Sequence, residues 1–242
     1  STLFPYTTLF RSYAKNIHSL WLDKDNSLWL GLFLKGALHY IPHLNRTVDY
    51  NLLSEEVSSG FCIIEDKNDH VWYGGPSGLF LIDKKKANAR PEKISPLRIF
   101  NLVQFNDSIL WAGTRKGSMF QINTRTLKVT SLPILPHTDL YVTYIYPDSH
   151  QRIWIGTDNN GLYVSDRNGS IIASYSKEQL GSNAIKGIIE DEMNNIWVGT
   201  GSGLCCINPQ MENIDRYTTA DGLPINQFNY SSACKKPDGE LY

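Results

Sequence analysis

The chain has 242 residues, of which 41% are hydrophobic and 12% aromatic, enough apolar material for a buried core in one domain. Lys and Arg number 23 against 24 Asp and Glu, so no net field favours nucleic acid or an anionic membrane surface as a partner. No run of about eighteen apolar residues occurs, so any membrane anchor is expected outside these residues.

The first twelve residues, STLFPYTTLFRS, stand apart from the rest of the sequence. They begin without Met, and they contain neither a charged leader region nor a cleavage site of small residues, so they do not form a signal peptide. They also match no part of the repeat that follows. We therefore predict that residues 1–12 are a non-native or unstructured segment and that the folded repeats occupy 13–242.

A repeated tripeptide, Trp-x-Gly, is the main signal of the sequence. Its tryptophans are separated by 43, 39, 43 and 43 residues, and they are Trp29, Trp72, Trp111, Trp154 and Trp197. After each glycine come a short polar loop, a Gly-Leu pair or a looser version of it, and an apolar run. A period of about 40 to 50 residues indicates a repeat architecture.

The fourth repeat shows how each copy is expected to fold. Four short apolar segments, Val142 to Tyr146, Ile153 to Thr157, Leu162 to Ser165 and Ile171 to Tyr175, are separated by turn-forming residues. No copy offers the uninterrupted helical pattern that a helical solenoid requires. The sequence predicts an all-β protein, a β-propeller of four-stranded antiparallel blades, with five complete repeats.

The tryptophans are predicted to be structural. The Trp and the Gly of each motif lie two residues apart, so both side chains point toward the same neighbouring blade, and the glycine is expected to leave room beside the indole. Stacking of these indoles on sugar rings is the less favoured alternative, because they lie among apolar strand residues.

A sixth repeat begins after the fifth. Ile214 to Tyr217 is predicted as a closing strand, Asp221 to Pro224 as a turn, and Leu241-Tyr242 falls where Ile196-Trp197 stands in the fifth repeat. We therefore expect a truncated sixth blade, an incomplete ring and a longer natural protein.

The repeats resemble those of two-component regulator propellers in bacterial hybrid sensor histidine kinases. Ile153 to Thr157 and Ile196 to Thr200 carry the Ile-Trp-x-Gly-Thr form of that family, and Tyr217 to Asn229 resembles the end of its propeller region. The segments Leu32-Phe33-Leu34, Gly75-Pro76 and Cys205-Cys206 depart from the family pattern.

The resemblance implies a periplasmic sensor in a protein anchored in the inner membrane. It implies a second propeller, an immunoglobulin-like domain, a transmembrane helix, a histidine kinase and transcriptional control, with oligosaccharides as stimuli. The implied partners of this segment are an oligosaccharide or other small ligand, the remaining propeller and immunoglobulin-like domain, and a second copy in a homodimer, with no nucleic acid. Ligand contacts are expected in loops at one mouth of the channel.

No catalytic, cofactor or metal site is predicted. The acidic turns beginning at Asp23, Asp66 and Asp191 are interpreted as hairpin turns rather than calcium loops. The six histidines lack ligand or triad spacing, and the carboxylate pairs Glu55-Glu56 and Asp191-Glu192 are interpreted as solvated turns. The four cysteines are interpreted as small buried hydrophobes.

Three functions remain open at this point. The first is a ligand-sensing propeller of a histidine kinase, which binds without turnover. The second is a propeller-fold polysaccharide hydrolase or lyase, which releases new chain ends. The third is a protein-interaction scaffold, which the absence of a Trp-Asp strand ending disfavours.

Overall fold

The structure is a computed structural model. It describes residues 17–50, 59–114, 119–132, 140–231, 233–236 and 238–241. The predicted segment 1–12 lies outside the described residues, as do Glu55, Glu56 and His137. The chain forms two compact units, residues 1–102 and residues 103–242.

Unit 1 contains two four-stranded antiparallel sheets, each with its strands in chain order. The first sheet is built from β1 (Ile17–Leu22), β2 (Leu28–Leu32), β3 (Gly36–Ile41) and β4 (Arg46–Asp49). The second is built from β5 (Cys62–Glu65), β6 (His70–Gly75), β7 (Gly78–Asp83) and β8 (Glu92–Ser95).

The boundary between the two units falls within the first strand of the third sheet. Its strands are β9 (Ile99–Asn106), β10 (Ile109–Thr114), β11 (Met119–Asn123) and β12 (Val129–Leu132). Unit 2 then adds a sheet of β13 (Val142–Pro147), β14 (Ile153–Thr157), β15 (Leu162–Ser165) and β16 (Ile171–Tyr175). A short helix, α1 (Lys177–Leu180), leads to β17 (Ile185–Glu190), β18 (Ile196–Thr200), β19 (Gly203–Ile207) and β20 (Ile214–Tyr217).

The five sheets confirm the prediction of five four-stranded repeats. In the fourth repeat the strands agree with the predicted ones, except that β13 extends one residue further, to Pro147. The closing strand predicted at Ile214 to Tyr217 is also present. Beyond it, Lys235 and Leu241 form an isolated antiparallel bridge.

An aspartate six residues before the tryptophan binds the indole in four of the five repeats. The Nε1 to Oδ2 distances are 3.1 Å for Trp29 and Asp23, 2.9 Å for Trp72 and Asp66, and 2.8 Å for both Trp154 with Asp148 and Trp197 with Asp191. In the third repeat Phe105 stands at this position and stacks on Trp111, with ring centres 4.6 Å apart. The buried Nε1 of Trp111 has no hydrogen-bond partner among the described residues.

The side chains of three of these aspartates, Asp66, Asp148 and Asp191, also close the turns that precede the tryptophan strands. Oδ1 of Asp66 accepts hydrogen bonds from the backbone N–H groups of Asn68, at 2.7 Å, and of His70, at 3.1 Å. Asp191 binds the N–H groups of Met193 and Asn195 in the same way. The interpretation of the acidic segments as turns is therefore confirmed, and each carboxylate also accepts a hydrogen bond from an indole N–H.

The glycines of the second, third and fourth motifs make room for the next sheet rather than for the indole alone. A Cβ added at Gly156 would lie 2.6 Å from Cγ2 of Ile185, and one at Gly113 would lie 2.6 Å from Cγ1 of Val142. Within unit 1, a Cβ at Gly74 would lie 2.7 Å from Cβ of Ile99. In each case the contact is with the residue that begins the first strand of the following repeat, so these glycines set how closely that strand approaches.

Tryptophan burial follows the prediction in four repeats. Trp29, Trp72 and Trp154 have no exposed surface and Trp111 is 3% exposed, whereas Trp197 in the last complete sheet is only half-buried. Trp154 packs with Leu162, Ile185 and Ile188 in the core of unit 2, which confirms that it faces the following sheet.

Candidate ligand-binding surface

One position on the first strand of each repeat stands out for its geometry. In the first, fourth and fifth sheets the register of the first strand shifts after its first residue, so that His18, Thr143 and Lys186 each occupy a β-bulge. A bulge turns a side chain away from the regular alternation of the strand and is frequent at binding sites. We call this place the bulge position.

The second and third repeats have phenylalanine at the same place. Phe61 precedes Cys62, which pairs with Gly74 as Ser19 pairs with Gly31 in the first repeat. Phe100 follows Ile99, which packs on the glycine of the preceding motif. All five bulge-position residues lie eleven residues before the tryptophan of their own repeat.

In unit 1 the bulge-position residues touch one another and extend into an aromatic surface. The ring centres of His18 and Phe61 are 4.7 Å apart, and those of Phe61 and Phe100 are 5.2 Å apart. Phe33, from the β2–β3 turn, lies 5.6 Å from His18 and 6.3 Å from Phe61, nearly parallel to the latter ring. We call His18, Phe33, Phe61 and Phe100 the aromatic row.

The aromatic row is accessible from solvent. His18 is exposed, Phe33 is 40% exposed, and Phe61 and Phe100 are half-buried. Single exposed apolar side chains are ordinary, but contiguous apolar patches on a folded protein mark interaction sites or ligand grooves. The three bulge-position rings and Phe33, linked by successive ring contacts, form such a patch.

The β2–β3 turn holds Phe33 in the aromatic row. Leu34 has a positive φ of 54°, and its N–H donates to Oγ of Ser59 at 2.8 Å. The N–H of Gly60 donates to the carbonyl oxygen of Leu32 at 3.0 Å. The departure from the family pattern at Leu32-Phe33-Leu34 therefore builds a turn that is fastened to the residues immediately before Phe61.

The same position in unit 2 has polar chemistry. The Thr143 hydroxyl donates to the carbonyl oxygen of Ile185 at 2.8 Å. Nζ of Lys186, a residue only 8% exposed, lies 3.4 Å from Oδ1 of Asp158 and 3.6 Å from the centre of the Tyr230 ring. Tyr230 also donates to Asp158, and burial together with this contact raises the pKa of its hydroxyl.

The histidines that the structure describes do not form a common site. His18 belongs to the aromatic row, and His39 stacks on Trp29 with its Nε2 2.7 Å from Oγ of Ser27. Burial lowers the pKa of His39 to about 4. Nδ1 of His70 lies 3.1 Å from Asp66, and Nδ1 of His150 lies 3.3 Å from Ser149.

The interpretation of the cysteines as buried is correct for two of the four. Cys62 and Cys205 are buried, and burial raises the pKa of their thiols to about 12 and about 11. Cys206 is half-buried because its strand neighbour is Trp197, on the less covered face of the fifth sheet. Cys234 is exposed, contrary to the prediction, because it lies after the last sheet.

An apolar pocket of about 380 Å³ adjoins Trp197 in unit 2. Gly199 and Leu204 line it from the fifth sheet, and Phe228 and Leu241 line it from the segment that follows. An added Cβ at Gly199 would lie 3.3 Å from Phe228, a looser contact than the one between Gly156 and Ile185. This pocket is the place where a following sheet packs in the earlier repeats.

Within the part of the chain that the structure describes, no group of three or more His, Cys, Asp or Glu side chains is arranged to hold a metal ion. Among the same residues, no helix has the length and apolar character needed to cross a membrane.

Comparison with known proteins agrees with the resemblance in the sequence. The profile of the family described as "Two component regulator propeller" matches residues 137–159 and 179–202, which include the fourth and fifth Trp-x-Gly motifs. Two of the five repeats of this chain thus match that family. Histidine kinase P4 of Formosa agariphila is 25% identical over 295 aligned residues, which cover 93% of this chain and 21% of that protein.

Solved structures show the same fold. The extracellular domain of the putative hybrid two component system BT3049 from B. thetaiotaomicron superimposes with a TM-score of 0.76 at 22% identity, covering 94% of this chain and 32% of that one. The extracellular domain of BT4673 from the same organism gives a TM-score of 0.66 at 21% identity, with coverages of 93% and 34%. The chain thus spans about a third of each of these domains or less.

The sequence predicted the framework but not the aromatic row. The signal was present in the constant distance of eleven residues between the bulge position and the tryptophan, and in the unusual Phe33 turn.

Proposed function

We propose that this chain is the extracytoplasmic ligand-sensing propeller of a two-component, hybrid histidine kinase regulator, and that it responds to oligosaccharides bound on the aromatic row. The observation that carries the ligand proposal is the exposed, contiguous contact among His18, Phe33, Phe61 and Phe100. The matched repeats and the sensor proteins named above support the sensory role.

The chemistry of the aromatic row suits a sugar chain. A pyranose ring exposes C–H groups on its faces and hydroxyl groups around its edge, so a flat aromatic surface can cover a face while the hydroxyls remain hydrated. Phe33 and Phe61 have an interplanar angle of only 4°. Because the row extends over four side chains and contains no carboxylate or ammonium group, it favours an uncharged oligosaccharide over a single sugar.

The location and partners form part of the same proposal. The chain acts in the periplasm as part of a protein anchored in the inner membrane, and it passes its signal to a further propeller and an immunoglobulin-like domain, with a homodimer as the signalling unit. Ligand binding shifts the population between two arrangements of these domains and leaves the ligand unchanged. The sequence of the full reading frame tests this part, since it must encode a transmembrane segment and a kinase module.

The test of the ligand is a calorimetric titration of the whole 242-residue chain with a panel of neutral oligosaccharides. At least one is expected to bind, and Phe33→Ala is expected to weaken its binding about tenfold. Tyr141→Ala is the matched control, because Tyr141 is an aromatic residue of similar exposure in unit 2.

Two outcomes would contradict the proposal. Equal affinity of the wild type and Phe33→Ala for every oligosaccharide that binds would remove the aromatic row from the site. The release of new reducing ends or unsaturated products during the titration would favour the hydrolase or lyase instead.

A further inference from the structure

A second pocket, which lies in unit 1, is lined by side chains of a different chemistry from those of the aromatic row. It has a volume of about 650 Å³ and lies beside β3 and β4 of the first sheet and the turn between β7 and β8 of the second. Small-molecule sites have volumes of about 300 to 1,000 Å³. The pocket therefore has room for one ring-sized molecule with its substituents.

Aromatic side chains line one part of this pocket. The rings of Trp29 and His39 are stacked with centres 4.0 Å apart and an interplanar angle of 7°, and Tyr50 lies 5.3 Å from Trp29. Burial keeps the pKa of His39 near 4, so its imidazole is neutral at pH 7. The uncharged aromatic surface that this part of the pocket presents comes from His39 and Tyr50, each 9% exposed, because Trp29 has no exposed surface.

Cationic side chains line the rest of the pocket. They belong to Arg46, Lys84, Lys86 and Arg90, and no Asp or Glu is among the described lining residues. Lys84 is already bound to two carboxylates, those of Asp23 and Glu65. Lys86 lies 3.8 Å from Asp83 at the surface.

The two arginines are available for a ligand. Neither Arg46 nor Arg90 makes an ion pair with any residue that the structure describes, and both are exposed. A guanidinium group binds carboxylate, sulfate and phosphate oxygens through paired N–H donors, which makes it more selective for oxyanions than an ammonium group. A pocket lined by charges of one sign also concentrates counter-ions.

We propose that this pocket binds a small organic anion, a ring-bearing molecule with a carboxylate or sulfate group. The ring lies against the exposed parts of His39 and Tyr50, which stack on the fully buried Trp29. The anionic group is held by Arg46 and Arg90, with Lys86 nearby. This site is independent of the aromatic row and of the oligosaccharide proposed to bind there.

The test is an NMR titration of the whole chain with glucuronate and with glucose 6-sulfate, using glucose as the neutral control. Binding of at least one anion is expected, together with no binding of glucose at the same concentrations and weaker binding as NaCl is raised. The comparison of the two anions shows whether the carboxylate or the sulfate is preferred.

The variants Arg46→Gln and Arg90→Gln are each expected to weaken anion binding at least tenfold. Arg98→Gln is the matched control, because Arg98 is an exposed arginine of unit 1 that does not line the pocket. Thermal unfolding of each variant checks that the fold is retained.

The proposal is overturned if neither anion binds, if glucose binds as tightly as both anions, or if the double variant Arg46→Gln, Arg90→Gln binds like the wild type. The variant Phe61→Ala distinguishes the two sites, because Phe61 belongs to the aromatic row and does not line this pocket. Anion binding that persists in Phe61→Ala supports this pocket, whether or not an oligosaccharide binds to the aromatic row.

Discussion

The bulge position carries aromatic rings in unit 1 and polar side chains in unit 2, although the backbone of the repeat is the same in both. His18 in unit 1 and Thr143 in unit 2 occupy equivalent bulges, yet His18 contacts the rings of its neighbours while Thr143 donates to a backbone carbonyl. The backbone of the repeat therefore determines the location of this side chain, whereas the type of residue, which differs between repeats, determines its contacts.

This comparison separates the framework from the surface. The framework consists of the Trp-x-Gly motif and its aspartate, which are buried or hydrogen-bonded in both units. The bulge-position side chains of unit 1 are exposed or half-buried, so they are available for binding. If this separation is correct, substitutions in the framework cost much more stability than substitutions at the bulge position.

The largest effect is expected for Trp154→Ala, which should lower the free energy of unfolding by about 3 to 5 kcal/mol through lost burial and a cavity. Phe61→Ala, at a half-buried ring of the aromatic row, should lower it by about 1 kcal/mol. Urea unfolding followed by circular dichroism measures both. A cost for Phe61→Ala equal to that of Trp154→Ala would show that the row belongs to the framework.

A pH effect is expected from the buried histidine of unit 1. The pKa of His39 is about 4 in the folded protein against 6.5 ordinarily, so the unfolded chain takes up the proton first and stability is lost as the pH falls from 6.5 to 4. The loss attributable to His39 is about 2 to 3 kcal/mol. It is measured as the difference between wild type and His39→Phe in urea unfolding at pH 7 and pH 4.5, and parallel pH curves would refute it.

A smaller effect distinguishes two tryptophans of unit 2. Trp154→Phe removes the indole hydrogen bond to Asp148 and leaves that buried carboxylate with one partner fewer. Trp111→Phe removes an N–H that has no partner among the described residues. We expect Trp154→Phe to cost about 1 to 2 kcal/mol more than Trp111→Phe in chemical denaturation, and equal costs would contradict this role for the aspartate.

The strands and the buried tryptophans could be predicted because the same pattern of residues occurs five times in the sequence. The residue that packs against each glycine could not be predicted, because it depends on how closely the next sheet approaches, as Ile185 and Val142 do. The aromatic row was missed for a related reason: its bulge-position members, His18, Phe61 and Phe100, are separated by 43 and 39 residues in the chain and meet only when neighbouring sheets pack. The basic pocket likewise combines Arg46 and Arg90 from different repeats.

Saturation-transfer NMR on a bound oligosaccharide, with the aromatic protons of the protein irradiated, tests the central claim most directly. Transfer to the C–H protons of the sugar is expected in the wild type and in Thr143→Phe, and it should be lost in Phe61→Thr, because only the latter removes a ring from the aromatic row. Undiminished transfer in Phe61→Thr would contradict the account.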